Sequence, residues 1–122
     1  MNPIKLLIAD DEDDLREVMA DILEAHGYEV TQAESGNEAI RILKEKEFDL
    51  VISDVRMPDG DGLMLLDHIK GNYQNNLPVI IITGFSEIEK DVFIKKGALK
   101  VIDKPFNVES FIGTIQKITN LS

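Results

Sequence analysis

Residues 4–30 read IKLLIADDEDDLREVMADILEAHGYEV, and this stretch decides the fold. Ile4–Ala9 is apolar apart from Lys5 and gives way at once to the acids of Asp10–Asp14. Leu15, Val18, Met19, Ile22 and Leu23 then recur at helical spacing, and Gly27 stops that helix just past Glu24–Ala25–His26. A second apolar run, Tyr28–Ala33, follows directly. Strand, crossover helix and strand in immediate succession predict a βαβ unit, whose right-handed connection places the two strands parallel in one sheet.

Working outward, the pattern repeats. Leu50–Ser53, Val79–Ile82 and Leu99–Ile102 read as three further strands. Between and after them, Ala39, Ile40 and Leu43, then Leu63, Leu66 and Ile69, then Ile88, Val92 and Phe93, and finally Val108, Phe111, Ile112 and Ile115 mark helical faces. Five strands alternating with five helices predict an α/β domain with a parallel sheet covered on both sides. The strands mostly lack period-two polarity, so they are expected to be buried on both faces. No linker, repeat or low-complexity segment interrupts the pattern, and residues 1–122 are expected to form a single domain.

Composition narrows the function classes. With 43% hydrophobic residues among 122, the chain can build one sizeable core. Thirteen Lys and Arg against 23 Asp and Glu give a net charge of −10, which disfavours binding to nucleic-acid phosphates or to an anionic membrane. Proteins and cations are the expected partners. The chain has no Cys, which excludes a disulfide scaffold or thiolate metal site and is compatible with a reducing cytoplasm. Apolar runs such as Val79–Ile82 are far too short to cross a bilayer, and Ile4–Ala9 is too short for a secretory segment. A soluble, unprocessed, cytoplasmic protein is expected.

Ligands of an open α/β sheet bind beyond the carboxyl ends of the strands. Asp10 and Asp11 follow the first strand, Asp54 the third, Thr83 the fourth, and Asp103 and Lys104 the fifth. Three carboxylates (Asp10, Asp11 and Asp54), a hydroxyl and an ammonium are thus expected to converge. Carboxylates held together repel unless a hard divalent cation neutralises them, and Mg²⁺ meets that demand. Such a metal would cancel the charge that keeps a phosphate from Asp54, the expected nucleophile, while Thr83 and Lys104 donate to the phosphoryl oxygens. Singly, Thr83 reads as a strand-end hydroxyl and Lys104 as a surface lysine; the combination reverses that reading. Asp13 and Asp14 are better explained as acids at the positive end of a helix dipole.

Competing motifs fail. An EF-hand frame built on Asp59 and Asp61–Gly62 would start at Met57 and end at His68, neither a carboxylate, so Asp59–Gly60–Asp61–Gly62 reads as turn chemistry. No Walker phosphate loop and no glycine-rich dinucleotide turn occurs. His26 and His68 lack neighbouring ligands and receive no function.

With these residues in hand, the chain resembles the response-regulator receiver family, as in chemotaxis regulators, from Ile4 to about Thr119. The resemblance rests on Asp10–Asp11, on Asp54 followed by Met57–Pro58 and Asp61–Gly62, on Thr83–Gly84, and on Lys104–Pro105–Phe106. It implies a flavodoxin-like, doubly wound five-stranded sheet of order 2-1-3-4-5. It further implies phosphorylation of Asp54 by a sensor histidine kinase or histidine phosphotransfer protein. Asp11, Asp54 and the Arg56 carbonyl would ligate Mg²⁺, with Asp10 holding the metal through water. Thr83 and Lys104 would sense the phosphate, and the Lys104–Pro105 bond would be cis. The altered surface would be that of the fourth and fifth helices and the fifth strand, meeting a downstream protein target, with homodimerisation on phosphorylation as one outcome.

This sequence departs from the family at Val101, where many relatives carry Tyr or Phe, so the signal is expected to run through Thr83 and the loop Gly84–Glu87 into the fourth helix. Phe85 and Arg56 are expected to flank the phosphoryl group and slow its hydrolysis, the only self-catalysed reactions being aspartyl phosphorylation and this slow loss. With no DNA-binding or enzymatic segment after the fifth helix, output is expected through protein contacts or through a region outside this sequence. A degenerate receiver used for docking is disfavoured by the complete acidic pocket. A Mg²⁺-dependent phosphohydrolase is disfavoured because Arg56 stands where a second acid is needed.

Overall fold

The computed structural model describes residues 3–73, 77–84 and 87–120. Its elements alternate as β1 (Lys5–Ala9), α1 (Asp13–Ala25), β2 (Glu29–Ala33), α2 (Gly36–Glu45), β3 (Leu50–Asp54), α3 (Gly62–Tyr73), β4 (Val79–Thr83), α4 (Glu87–Lys95), β5 (Lys100–Asp103) and α5 (Val108–Thr119). All strands pair in parallel in the order β2-β1-β3-β4-β5, as the resemblance implied. The register runs Ile8 beside Ile52, Ile52 beside Ile80 and Ile80 beside Lys100.

Side chains alternate across the sheet and divide the core in two. Leu6, Ile8, Leu50, Ile52, Ile80 and Ile82 pack with Met19, Ala20 and Leu23 of α1 and Phe111, Ile112 and Ile115 of α5. Leu7, Ala9, Val51, Val79 and Ile81 pack with Ala39 and Leu43 of α2, Leu65, Leu66 and Ile69 of α3, and Phe93 of α4. Covering on both faces explains why the central strands carry apolar residues at successive positions.

Burial on both faces holds for β3 and β4, which are buried throughout, and for β1 apart from Lys5. It does not hold for β2 and β5. These edge strands are largely exposed or half-buried, each having a sheet neighbour on one side alone. The helical faces are also narrower than their spacing suggested: Val18 is 52% exposed, Val92 43% and Val108 46%.

Local chemistry sets the boundaries. Gly27 turns the chain out of α1 at φ +96°, donating to the Glu24 carbonyl, a backbone state that favours glycine. Ser35 Oγ accepts from the Glu38 amide and Asn107 Oδ1 from the Ser110 amide, capping α2 and α5. Asp61 Oδ1 accepts from the Met64 amide at the start of α3, and Asp59 and Gly60 carry positive φ, so this segment is the turn its composition suggested. Lys104–Pro105 is cis.

Candidate functional site

The strand ends bring the candidate residues to one rim. Asp54 and Thr83 are the last residues of β3 and β4, one position earlier than their reading as residues just past the strands. Asp10 follows β1 immediately, and Lys104 follows β5. Asp11, Glu12, Asp54, Val55, Arg56, Thr83, Gly84 and Lys104 line a cavity of about 450 Å³ there.

Asp54 is fixed by its own backbone. The Val55 amide donates to Asp54 Oδ1 at 2.7 Å, and Ser53 Oγ donates to the Asp54 carbonyl at 2.8 Å. The following loop folds tightly against it, with the Gly62 amide donating to the Val55 carbonyl at 2.8 Å. A Cβ on Gly62 would stand 2.3 Å from the Asp54 carbonyl oxygen, so only glycine fits at that close approach.

Lys104 reaches over this carboxylate. Its Nζ donates to Asp54 Oδ2 at 3.0 Å and lies 3.6 Å from Glu12 Oε1 and 3.8 Å from Asp10 Oδ2. The Lys104 amide donates to the Thr83 carbonyl at 2.9 Å, so the strand that presents the hydroxyl also anchors the lysine. Thr83 and Asp10 are each 1% exposed, whereas Asp11 and Arg56 are exposed on the cavity wall. Phe85 lies outside the described residues.

Asp10 is the most constrained acid. Its Oδ1 accepts from the Glu12 amide at 2.8 Å, while its buried Oδ2 has no hydrogen-bond partner among the described residues. Burial, foremost, pushes its carboxyl above the usual carboxylate range, and the charges of Asp54 and Glu12 add to this against the Glu12 amide bond and Lys104. Burial pulls the Lys104 ammonium down, but the hydrogen bond to Asp54 and the charges of Asp10, Asp54 and Glu12 outweigh it and leave the pKa raised.

One oxygen each from Asp10, Glu12 and Asp54 lies within 4.8 Å of the others. This set fits a hard divalent cation: the donors are carboxylate oxygens, and a buried one has no hydrogen bond among the described residues. Glu12, one of the acids of Asp10–Asp14, is not singled out by the sequence. Its place two residues after Asp10, at the N-cap of α1, was the available signal. Asp103 points elsewhere, pairing with Lys90 Nζ at 2.5 Å. His26 Nδ1 lies 2.9 Å from the Ile22 carbonyl, and His68 neighbours Asn72.

The family model for the response regulator receiver domain matches residues 6–116. The chain is 41% identical over 115 residues to a putative response regulator NtrX-like of Rickettsia bellii, covering 92% of this chain and 24% of that protein. It is 36% identical over 115 residues to the transcriptional regulatory protein ZraR of Escherichia coli K12, covering 93% of this chain and 26% of that one. The chain therefore spans about a quarter of the length of these curated relatives. Among solved structures, the receiver domain of the Francisella response regulator 1452 superposes with TM-score 0.90 at 29% identity, covering 98% of each chain. Response regulator TrrA from Thermotoga maritima, solved in complex with Mg²⁺–BeF, gives TM-score 0.84 at 30% identity, covering 94% of this chain and 98% of that one.

Proposed function

The chain belongs to the response-regulator receiver family, and on that premise we propose that Asp54 accepts a phosphoryl group from a histidine-bearing donor, a sensor kinase or phosphotransfer protein. The observation that carries this reading is the contact of Lys104 Nζ with Asp54 Oδ2 at 3.0 Å beside Asp10 Oδ2, a buried oxygen with no hydrogen bond among the described residues. It describes an acid held ready at a strand end with a cation to receive charge and a carboxylate oxygen left over for a metal.

In the transfer, a carboxylate oxygen of Asp54 forms the new O–P bond while the P–N bond to the donor imidazole breaks, its electron pair remaining on the nitrogen. Val55 limits rotation of the carboxylate through its 2.7 Å bond to Oδ1. Lys104 passes from Asp54 to the phosphoryl oxygens, and Thr83 donates its hydroxyl to another, charge-assisted bonds that favour the transferred state. Asp11, Asp54 and the Arg56 carbonyl would hold Mg²⁺, with Asp10 and Glu12 contributing carboxylates to the same cluster, and the ion would supply neutralisation of these acids and of the incoming charge. Chemistry stops at slow self-dephosphorylation, and the output is a changed surface for a downstream protein target. A cytoplasmic setting belongs to the same proposal.

The donor's approach has a physical basis in a neighbouring groove of about 390 Å³ between α1 and α5. Leu15, Val18, Ile22, Phe106 and Val108 give it an apolar lining, and Glu12 and Lys104 are shared with the phosphoacceptor cavity. A helix carrying the donor histidine and resting here would deliver the imidazole beside Asp54.

Incubation with Mg²⁺ and phosphoramidate, followed by intact mass measurement, tests the function. The native chain should gain one phosphoryl group and Asp54→Asn none; equal gain by both would refute the assignment.

A further inference from the structure

Among the described residues, Arg16 is the buried cation that the phosphoacceptor chemistry leaves unused. It is 6% exposed, on the first turns of α1, and its guanidinium hydrogen-bonds to three separate parts of the chain, with Glu34 Oε1 also 3.9 Å from Nη2. Nη1 donates to the Asp10 carbonyl at 2.7 Å, Nη2 to Asp13 Oδ1 at 2.8 Å, and Nε to Gln32 Oε1 on β2 at 3.0 Å. A buried arginine is costly to desolvate, and its planar fork suits fixing several acceptors at once.

The bond to Asp10 completes a frame around that residue. Its amide donates to the Ala33 carbonyl at 3.1 Å, its carbonyl accepts from Arg16, and its Oδ1 accepts from the Glu12 amide at 2.8 Å. With backbone and one carboxylate oxygen held, the remaining Oδ2 has its direction set, within 3.8 Å of Lys104 Nζ.

We propose that Arg16 is a positioning residue for the acidic pocket: by pinning the Asp10 carbonyl to β2 and to the start of α1, it aims Asp10 Oδ2 and the following acids at the metal. This rests on the Mg²⁺ reading above. Groups that orient metal-binding side chains without touching the ion commonly govern affinity by about tenfold or more.

The test measures the Mg²⁺ dissociation constant of the full chain by titrating amide NMR shifts, with no phosphodonor present. Arg16→Met keeps the apolar stem and removes the fork; Mg²⁺ should bind about tenfold more weakly. Arg16→Lys restores a charge without the three-way geometry and should fall between that variant and the native chain; it also serves as the test if Arg16→Met does not fold. Ile115→Val, a core change remote from the pocket, should lower stability and leave the Mg²⁺ constant native. An Arg16 variant that loses stability yet keeps the native constant, as Ile115→Val does, overturns the proposal and leaves the metal reading standing. A native chain whose shifts do not respond to Mg²⁺ overturns both.

Discussion

Lys104 Nζ donates to Asp54 Oδ2 at 3.0 Å, so the lysine after β5 holds the acid at the end of β3 across the intervening β4. Removing it leaves Asp54, Asp10 and Glu12 without that cation. The Lys104 side chain is 21% and the Asp54 side chain 11% exposed, so solvent offsets part of the charge left behind. In the presence of a chelator, Lys104→Met should lose about 2 kcal/mol, less than the ~3–5 kcal/mol of breaking a fully buried pair. Urea unfolding checks this, and native stability in the variant would show the contact to be idle.

Asp10 gives the pH dependence. Its folded pKa lies above the ordinary 3.8, chiefly through burial. A raised carboxylate pKa contributes stability that is fully present below the unfolded value and lost as pH rises through the folded value. Without metal, Asp10→Asn should therefore be more stable than the native chain near neutral pH, with the advantage shrinking as pH falls toward 3.8. Denaturant titrations across that window, with chelator present, decide it; an advantage that grows on acidification contradicts the sign.

Mg²⁺ should raise the melting temperature, because a ligand confined to the native state adds about 2.7 kcal/mol at a hundred times its dissociation constant. Asp11→Asn and Asp54→Asn should remove that increment. Asp11 is exposed, so its substitution should leave the metal-free melting temperature close to native, unlike that of buried Asp10. An undiminished increment in Asp11→Asn would take it out of the ligand set.

The α1–α5 groove predicts a split between donors. Val18→Asp, at an exposed position on its rim, should slow transfer from a histidine-bearing protein while phosphoramidate still modifies Asp54 at the native rate. Equal slowing with both donors would mean that the substitution damages the pocket rather than the docking face.

Activation should reach α4 without an aromatic swing. Val101 is half-buried against the core shared with α2, α3 and α4, and it is stiff and short. Beryllofluoride, a phosphoryl mimic, should shift the amides of α4 and of Asp103, which is tied to α4 through Lys90. Thr83→Ala should bind the mimic yet shift α4 weakly; a full α4 response in that variant would exclude the hydroxyl from the route.

Much of this was legible in the sequence because parallel sheets force their ligand sites onto strand ends, where Asp10, Asp54, Thr83 and Lys104 announced themselves. The element order followed from apolar runs separated by helical spacing. What escaped depended on context that spacing does not carry. Val18 and Met19 are equally apolar, but one faces solvent and the other the core. Glu12 belongs to the pocket through the turn that starts α1, and the burial of Arg16 depends on Gln32, which only pairing of β1 with β2 brings near.

Phosphorylation at Asp54 can be marked chemically. Borohydride reduces an acyl phosphate to the alcohol, so trapping the phosphorylated chain and mapping its peptides marks the acceptor directly. Homoserine should appear at position 54 in the native chain after Mg²⁺ and phosphoramidate, and none when Mg²⁺ is withheld. An unmodified Asp54, with the mark at Asp10, Asp11 or elsewhere, would contradict phosphorylation at Asp54.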